Sequence, residues 1–326
     1  MSERIFTDEE LRIGSLRSVD AMAEAIEAGD RQSAVFFCKR LRREVLSMQQ
    51  NYDGWETSLR ESIRRLGGQE DEAAAIRSIE DPTVAPERCG QASPGIDRFK
   101  DEARAILSTL EARHDAEALD RARRLHEEAL RSHDRGMSRV SALLSWIARN
   151  QGADAVEAAL EVAMSADMLG DASYRERAEA LMHFTRVHLQ PFDLREDDEK
   201  LTFLCPVCPS GGRLLQAGHY EPPRSDAHVP GPRPLTWGRE TLPAYCCHEP
   251  VMEKASIEKT GVPLFVVDPP ERLGVDPCPT YLYKDPADIP ERFYTRLGLE
   301  KPRARNRNRN RYEVEHDLQG HPMDDG

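Results

Sequence analysis

The sequence predicts an α+β protein that is mainly α, in which a duplicated helical bundle is followed by a small, loop-rich Cys/His module with short strands. Apolar residues recur at helical spacing through most of the first 190 residues. The composition then changes, since all but three of the prolines lie beyond residue 190. Proline is excluded from helix interiors because it lacks a backbone donor. We therefore expect a helical domain at 1–190, a proline-rich module at 191–300 and a disordered tail at 301–326.

Composition and charge narrow the possible classes of function. The chain has 326 residues, of which 39% are hydrophobic, and a formal net charge of −13. No apolar run approaches the roughly 20 residues of a membrane span, and the polar, acidic start at 1–10 does not look like a secretion signal. We therefore expect a cytoplasmic protein without a membrane partner, and the negative charge argues against nucleic-acid binding. The oligomeric state stays open.

The N-terminal helices are predicted from caps and apolar spacing. Thr7, followed by three acidic residues, indicates a helix start, and the helical pattern continues to the break at Gly29. A second helix is expected at 32–50. A third is expected at 53–66, where the glycine pair at 67–68 is a typical C-cap signal.

The helical region repeats itself at a spacing of 84 residues. The superposed identical pairs include Leu41 with Leu125, Leu59 with Leu143, Ile63 with Ile147 and Gly68 with Gly152. Such self-similarity at core and capping positions predicts two equivalent helical units, at 8–79 and 96–168. The proline- and glycine-rich stretch at 80–95 is predicted to join them, and a helix at 172–190 closes the domain.

The module at 191–300 is expected to consist mostly of loops. Runs of β-branched, aromatic and leucine residues between turn signals predict short strands at 200–204, 213–216, 264–267 and 280–283. A short terminal helix is predicted at 290–297.

Cysteine spacing predicts a metal site in this module. Five of the seven cysteines fall after residue 200, where Cys205 and Cys208 form a Cys-x-x-Cys pair and Cys246 and His248 lie in a second cluster. Two thiolates separated by two residues can turn back on one ion, so we predict tetrahedral zinc on these four side chains, with iron as the alternative ion. Candidate substitutes for one ligand are Cys247, Cys278, His219 and Glu249. The other interpretation is that the cysteines are reduced and buried without a metal.

The same residues resemble a bacterial protein family that has no assigned biochemical role. The resemblance rests on the runs CPVCPSGGRLLQAGHYEPP, YCCHE, PLFVVDPPE and PCPTYLYKDP, and it extends into the duplicated helices. The family pattern has one cysteine before Ser-Gly-Gly-Arg, at the position of Cys208, and Cys-x-His-Cys in the second cluster. This chain matches Cys246 and His248 but has Glu249 in place of the last cysteine. The resemblance thus implies that either Cys205 replaces that thiolate or Glu249 binds as an oxygen ligand, and it implies no substrate.

The Ser-Gly-Gly-Arg run beside the cysteines suits an anion. Backbone amides freed by the glycines lie next to Arg213, and together they form a reasonable cradle for a carboxylate or phosphate. The other interpretation is a tight turn in which Arg213 pairs with an acid at 197–199. The predicted metal is structural if four protein ligands fill its coordination shell and catalytic if one position stays open.

The helical region offers weaker candidates. Glu44 and Glu128 are equivalent in the two units, but the Glu-x-x-His motifs of a carboxylate-bridged metal centre are absent. We therefore expect these glutamates to pair with arginines. His126 and His133 have no histidine counterparts in the first unit, which indicates either that the second unit holds polar work that the first has lost or that both are surface positions, as we expect.

Two functions remain open. The first is a metal-dependent enzyme of bacterial metabolism that acts on a small ligand between the helical domain and the Cys/His module. In that case Arg213 would bind an anionic group with Tyr220 beside it, and His219 and His188 would transfer protons. The alternative is a non-catalytic, partner-binding protein whose module is folded by structural zinc. A pocket between the domains lined by Arg213 and the histidines of the module would favour the enzyme, and a flat, closed metal knuckle would favour the alternative.

Overall fold

A computed structural model describes residues 4–89, 95–164 and 172–302 of the chain. Most of the predicted tail, part of the predicted linker and the last residues of the second predicted unit therefore lie outside the described residues. The described part is mainly helical with few short strands, which confirms the predicted mainly-α class. No helix in these three ranges is long and apolar enough to cross a membrane.

The chain begins with two short helices and one long helix. These are α1 (Asp8–Ser15), α2 (Ser18–Glu27) and α3 (Arg31–Ile79). Thr7 caps α1 as predicted, since its hydroxyl accepts a hydrogen bond from the Glu10 N–H at 3.1 Å. The Glu10 carboxylate accepts the Thr7 N–H in return, at 2.7 Å.

Two predicted helix boundaries are wrong. The first helix is interrupted at Leu16, whose ψ of 141° is extended, and the helices predicted at 32–50 and 53–66 are one continuous element. Burial of Met48 and Leu59 on one face outweighs the low helix propensity of the residues between them. Two helical stretches of α3 meet at a kink at Gly68, beside the C-cap signal predicted at 67–68. Its φ of 83° and ψ of −174° are open to a residue without Cβ.

Four further helices complete the bundle. These are α4 (Ile96–Glu111), α5 (Asp115–Asn150), α6 (Ala153–Ala163) and α7 (Tyr174–Arg186). Helices α3 and α5 pack along each other, with α2 and α4 beside them. Their apolar faces enclose a core that includes Leu41, Val45, Ile106 and Leu125.

The C-terminal part contains two small antiparallel sheets. The described strands are β1 (Asp193–Glu196), β2 (Lys200–Leu204), β3 (His228–Pro230), β4 (Thr241–Pro243), β5 (Val266–Val267) and β6 (Thr280–Tyr283). Four form one sheet in the order β1-β2-β6-β5, and β3 pairs with β4. The strands predicted at 200–204 and 280–283 are confirmed, and the one predicted at 264–267 is reduced to β5.

Three helices lie among these strands. They are α8 (Gly211–Gln216), α9 (His248–Thr260) and α10 (Arg292–Thr295), of which α10 lies within the predicted terminal helix. The strand predicted at 213–216 is wrong. The N–H of Arg213 donates to the carbonyl oxygens of Ser210 and Cys208, which closes a turn and starts α8 instead of extending the chain. Helix α9 begins inside the second cysteine cluster and was not predicted.

The larger core joins the helices to the C-terminal part. It contains Leu59 and Leu143 from the helices together with Leu201, Leu242 and Phe293 from beyond residue 190. None of these five side chains is accessible to solvent. The C-terminal part therefore packs directly on the bundle, and the candidate site lies at this contact.

Candidate functional site

A chain of buried and half-buried polar side chains runs across the contact between the helices and the C-terminal part. The Tyr52 hydroxyl lies 3.2 Å from His133 Nε2 and 3.2 Å from the Tyr245 hydroxyl, which accepts a hydrogen bond from the Ser210 hydroxyl at 3.1 Å. His188 Nδ1 lies 2.9 Å from His133 Nε2. We call these five side chains the relay. They come from α3, from α5, from just beyond α7, and from the turns that precede α8 and α9.

Gly136 makes room for the first member of the relay. A Cβ at position 136 of α5 would lie 2.8 Å from both Cβ and Cγ of Tyr52 on α3. Because this distance is shorter than a non-bonded contact between two carbon atoms, a larger residue at 136 would push the two helices apart. The Tyr52 ring meets the His133 ring edge-on, with centroids 5.2 Å apart.

Asp134 determines which nitrogens of the relay carry protons. His133 Nδ1 lies 3.0 Å from Asp134 Oδ1 and donates its proton to that carboxylate, so in neutral His133 the Nε2 atom is an acceptor. The Nδ1–H of His188 then donates to His133 Nε2. This arrangement leaves His188 Nε2 with a free lone pair, and no described residue donates a hydrogen bond to it. Arg213 pairs with the second oxygen of Asp134.

Burial keeps the relay uncharged. It lowers the pKa of His188 well below the usual value of a histidine, and His133, His248 and Arg213 lower it further. Burial also lowers the pKa of His133, against the opposing effect of Asp134. The pKa of Tyr52 is raised well above its usual value, first by burial and then by the neighbouring tyrosine. At neutral pH the two imidazoles are therefore neutral and this phenol keeps its proton.

A cavity of about 650 Å³ opens against the relay. We call it the interface cavity, since its walls come from α3, α7 and the C-terminal part. Four members of the relay, Tyr52, His188, Ser210 and Tyr245, belong to its lining. The apolar lining consists of Met48, Trp55, Val162, Ala163, Met164, Ala180, Leu181, Phe184, Val187, Met252, Leu264 and Phe265. A cavity of this size and character is typical of a small-molecule site.

A second cavity, of about 90 Å³, is lined by thiols, and we call it the thiol cavity. Its cysteines are Cys205, Cys208, Cys246 and Cys278. Burial raises the pKa of Cys208, while the backbone N–H groups of Gly212, Ser210 and Gly211, which point at its sulfur, lower it. Gly211 is required here, because a Cβ at that position would lie 2.4 Å from Cys246 Sγ. Both cavities share lining from His188, Ser210 and His248.

All four predicted metal ligands line the thiol cavity, but His248 is hydrogen-bonded through both of its ring nitrogens. His248 Nδ1 lies 2.6 Å from the carbonyl oxygen of Tyr245, and its Nε2 lies 3.1 Å from Glu249 Oε1. Both ring nitrogens thus have protein partners. Glu249 Oε2, by contrast, is buried and has no hydrogen-bond partner among the described residues. Across residues 4–89, 95–164 and 172–302, no group of three or more His, Cys, Asp or Glu side chains could hold a metal ion as arranged.

The structure separates the two histidines that the sequence suggests for proton transfer. His188 belongs to the relay, whereas His219 lies in another buried cluster, 3.3 Å from Arg88 Nη2. In that cluster Arg88 donates to both carboxylate oxygens of Asp226, at 2.9 and 3.0 Å. Tyr220 is also there, with its hydroxyl 3.4 Å from Ser141 Oγ. His219 and Tyr220 therefore lie outside the lining of both cavities.

Glu44 and Glu128 pair with arginines, as expected from the sequence. Glu44 is buried, accepts a hydrogen bond from Ser18 at 2.6 Å and pairs with Arg186 at 2.8 Å. Glu128 pairs with Arg98 at 2.7 Å. The two glutamates thus neutralise different arginines.

Two expectations about exposure and pairing are wrong. The sequence places His126 and His133 at the surface, but both are buried because α5 is covered by other elements along its length. It also pairs Arg213 with an acid at 197–199, but the partner is Asp134 on α5. The turn into α8 directs the arginine toward the helices and away from the strand that precedes it.

Sequence reasoning missed Tyr52, His133, Tyr245 and Ser210 as members of one site. The one available signal was the asymmetry between the units, in which His133 and Gly136 stand where the first unit has Gln49 and Tyr52. No protein-family model, no curated protein and no solved structure matches the chain. The resemblance to a bacterial family therefore stays a prediction.

Proposed function

We propose that the protein is an enzyme that transfers a proton to or from a small molecule bound in the interface cavity. The observation that carries the proposal is His188, which faces this cavity and is held by His133 so that its Nε2 lone pair is free. A half-buried base backed by a second histidine and a carboxylate is a typical arrangement for general acid–base catalysis. The chain Asp134–His133–His188 fixes both the orientation and the tautomer of the base.

His188 would accept the proton in the reaction. Its Nε2 takes a proton from an O–H or an acidic C–H of the bound molecule, and the bonding electron pair stays on that molecule. The positive charge that develops on His188 is stabilised through His133 Nε2 and, beyond it, by Asp134. Burial lowers the pKa of His188, so the imidazole is unprotonated before substrate binds.

The hydroxyl groups of the relay would stabilise the negative charge left behind. Tyr52, Tyr245 and Ser210 are hydrogen-bonded to one another and line the same cavity as His188. Hydroxyl donors that are already oriented stabilise a developing oxyanion without reorganisation. Burial raises the pKa of both tyrosines, so they are protonated and able to donate.

A zinc ion in the thiol cavity is a second part of the proposal, with iron as the alternative. Cys208, Cys246 and Cys278 offer soft ligands, and the unpartnered Oε2 of Glu249 offers an oxygen. Since these groups are not arranged as a finished ligand set, the donors have to close around the ion. A bound zinc would fasten α8 to α9 and β6, and no step of the proposed proton transfer passes through it.

The proposal includes an internal duplication, which the boundaries of the elements support. Shifting α3 by 84 residues carries its start at Arg31 onto the start of α5 at Asp115, and Gly68 onto Gly152. The two glycines have nearly the same backbone, with φ 83° and ψ −174° at Gly68 and φ 89° and ψ 176° at Gly152. Position 136, the equivalent of Tyr52, is in contact with that tyrosine, as expected for positions close to a twofold axis.

Untargeted mass spectrometry tests the enzymatic proposal, because it detects the loss of any compound and no substrate has to be chosen in advance. The full chain and a His188→Gln variant are incubated with a bacterial metabolite extract, and consumed compounds are identified. We expect wild type to consume at least one compound that the variant leaves. His114→Gln is the matched control, because His114 is exposed and remote from the cavity. Equal consumption by the His188 variant, or no consumption by any protein, would refute the enzyme and leave the partner-binding alternative.

A further inference from the structure

The interface cavity is lined, in the part of the chain that the structure describes, by uncharged residue types and histidine. None of its described lining residues is Lys, Arg, Asp or Glu. Arg213 is absent from this lining and is paired with Asp134. Arg186, which follows the lining residues Phe184 and Thr185 of the two cavities, is paired with Glu44. Both of these arginines are therefore paired with carboxylates, and Arg43, which acts on the lining residue His183, is exposed to solvent and is not part of the lining.

The histidines of the lining do not supply a positive charge that faces the cavity. His188 and His183 both have a pKa lowered by burial, and His183 Nε2 lies 3.3 Å from the Ser47 hydroxyl. His248 Nε2 lies 3.1 Å from Glu249 Oε1, so that carboxylate would compensate any charge on this ring. An anion in the cavity would lose its hydration and meet no Lys or Arg among the described lining residues, which is unfavourable in an apolar environment.

Two kinds of side chain line the cavity. The lining combines the hydroxyl and imidazole groups of the relay with aromatic and aliphatic side chains such as Leu181, Phe265 and Met252. Trp55 joins the two sets, since its ring centroid lies 6.1 Å from that of Tyr245. At the rim, Phe184 is 37% exposed and Val162 is 44% exposed. Large apolar side chains that are exposed beside a cavity are typical of an entrance for an apolar ligand, which would cover them on binding.

We propose that the substrate is an uncharged, largely apolar molecule with one small polar group, a hydroxyl or a carbonyl, that reaches the relay. The inference rests on the proposed function only for the reaction of that polar group with the relay, because binding of the molecule requires no catalysis. It departs from the anionic substrate expected from Arg213, because the tertiary structure engages that arginine with Asp134. The apolar body lies against Trp55 and Phe265, and the polar group lies between His188 and Tyr245.

Displacement of a neutral fluorescent probe tests the inference with the full-length protein. N-phenylnaphthylamine, which is uncharged and brightens in apolar sites, is bound first and then displaced by three matched competitors. These are a naphthol, the corresponding naphthoate and the corresponding naphthylmethylammonium ion. We expect the naphthol to displace the probe at a concentration at least about tenfold lower than either charged competitor, since each charge would be desolvated without a partner.

A pair of arginine substitutions shows where the probe binds. Phe184→Arg introduces a cation at the rim and should weaken probe binding at least about fivefold while improving displacement by the naphthoate. Leu66→Arg is the control, because Leu66 is also exposed, at 54%, but does not line the cavity. Displacement by naphthoate as efficient as by naphthol in wild type, or equal probe binding in both variants, would overturn the inference. Since the measurement needs no turnover, its outcome is independent of the metabolite experiment.

Discussion

Replacing Gly136 with alanine tests whether this glycine positions the relay. The added methyl group would lie 2.8 Å from Cβ and from Cγ of Tyr52. Because the Cβ of Tyr52 is fixed to the backbone of α3, rotation of the side chain cannot relieve the contact, and α3 and α5 have to move apart. The Tyr52 hydroxyl would then be displaced from His133 and Tyr245, each of which is 3.2 Å away in the native arrangement.

The expected magnitude follows from two opposing effects. Overpacking of a helix contact costs about 1–3 kcal/mol, whereas alanine in place of glycine inside a helix contributes up to about 1 kcal/mol. Gly54 is the matched control, since it lies inside α3 and a Cβ there would meet nothing within 4 Å. We therefore expect the free energy of unfolding of Gly54→Ala to equal or slightly exceed that of wild type. The free energy of unfolding of Gly136→Ala should be about 1–3 kcal/mol lower than that of Gly54→Ala.

Urea denaturation followed by circular dichroism measures this difference. The slope with denaturant should stay the same in both variants, because the surface exposed on unfolding does not change. If Gly136→Ala is as stable as Gly54→Ala, the close approach of Tyr52 to α5 is incorrect, and with it the placement of the relay.

Two further predictions concern the pH dependence of stability and the thiol cavity. His126 is buried, its ring nitrogens have no described hydrogen-bond partner, and burial lowers its pKa to about 4. Because the unfolded chain binds this proton near the ordinary value of 6.5, the stability is fully present above that pH and is lost as pH falls toward 4. Denaturation at several pH values should show that His126→Leu removes up to about 3 kcal/mol of this pH dependence. The exposed control His114→Leu should leave the pH dependence unchanged. The same unchanged dependence in His126→Leu would contradict the prediction. For the thiol cavity, protein purified without added metal should contain about one zinc per chain and lose it in the Cys208→Ser, Cys246→Ser double variant but not in Cys89→Ser. Wild type without zinc or iron by elemental analysis would refute that proposal.

Local patterns predicted the parts of this fold that depend on local interactions. A few neighbouring residues are enough to predict the helix cap at Thr7, the break in helical backbone at Gly68, and the strands at 200–204 and 280–283. Errors arose where packing outweighed propensity. The long helix α3 continues through a stretch of poor helix formers, and residues 213–216 form a helix because backbone hydrogen bonds close the turn before them.

The sequence by itself determined the mainly helical class, several element boundaries and the presence of Cys205, Cys208 and Cys246 in one small module, since periodicity, caps and short cysteine spacings are local properties. Only the tertiary structure decided the site. Tyr52 and Tyr245 are separated by 193 residues and Arg213 and Asp134 by 79, and no local pattern specifies such pairs. They are brought together by burial of the apolar faces of α3, α5 and the C-terminal part. Burial at this contact lowers the pKa of His133 and His188. The same packing pairs Arg213, which the sequence assigned to a substrate, with Asp134.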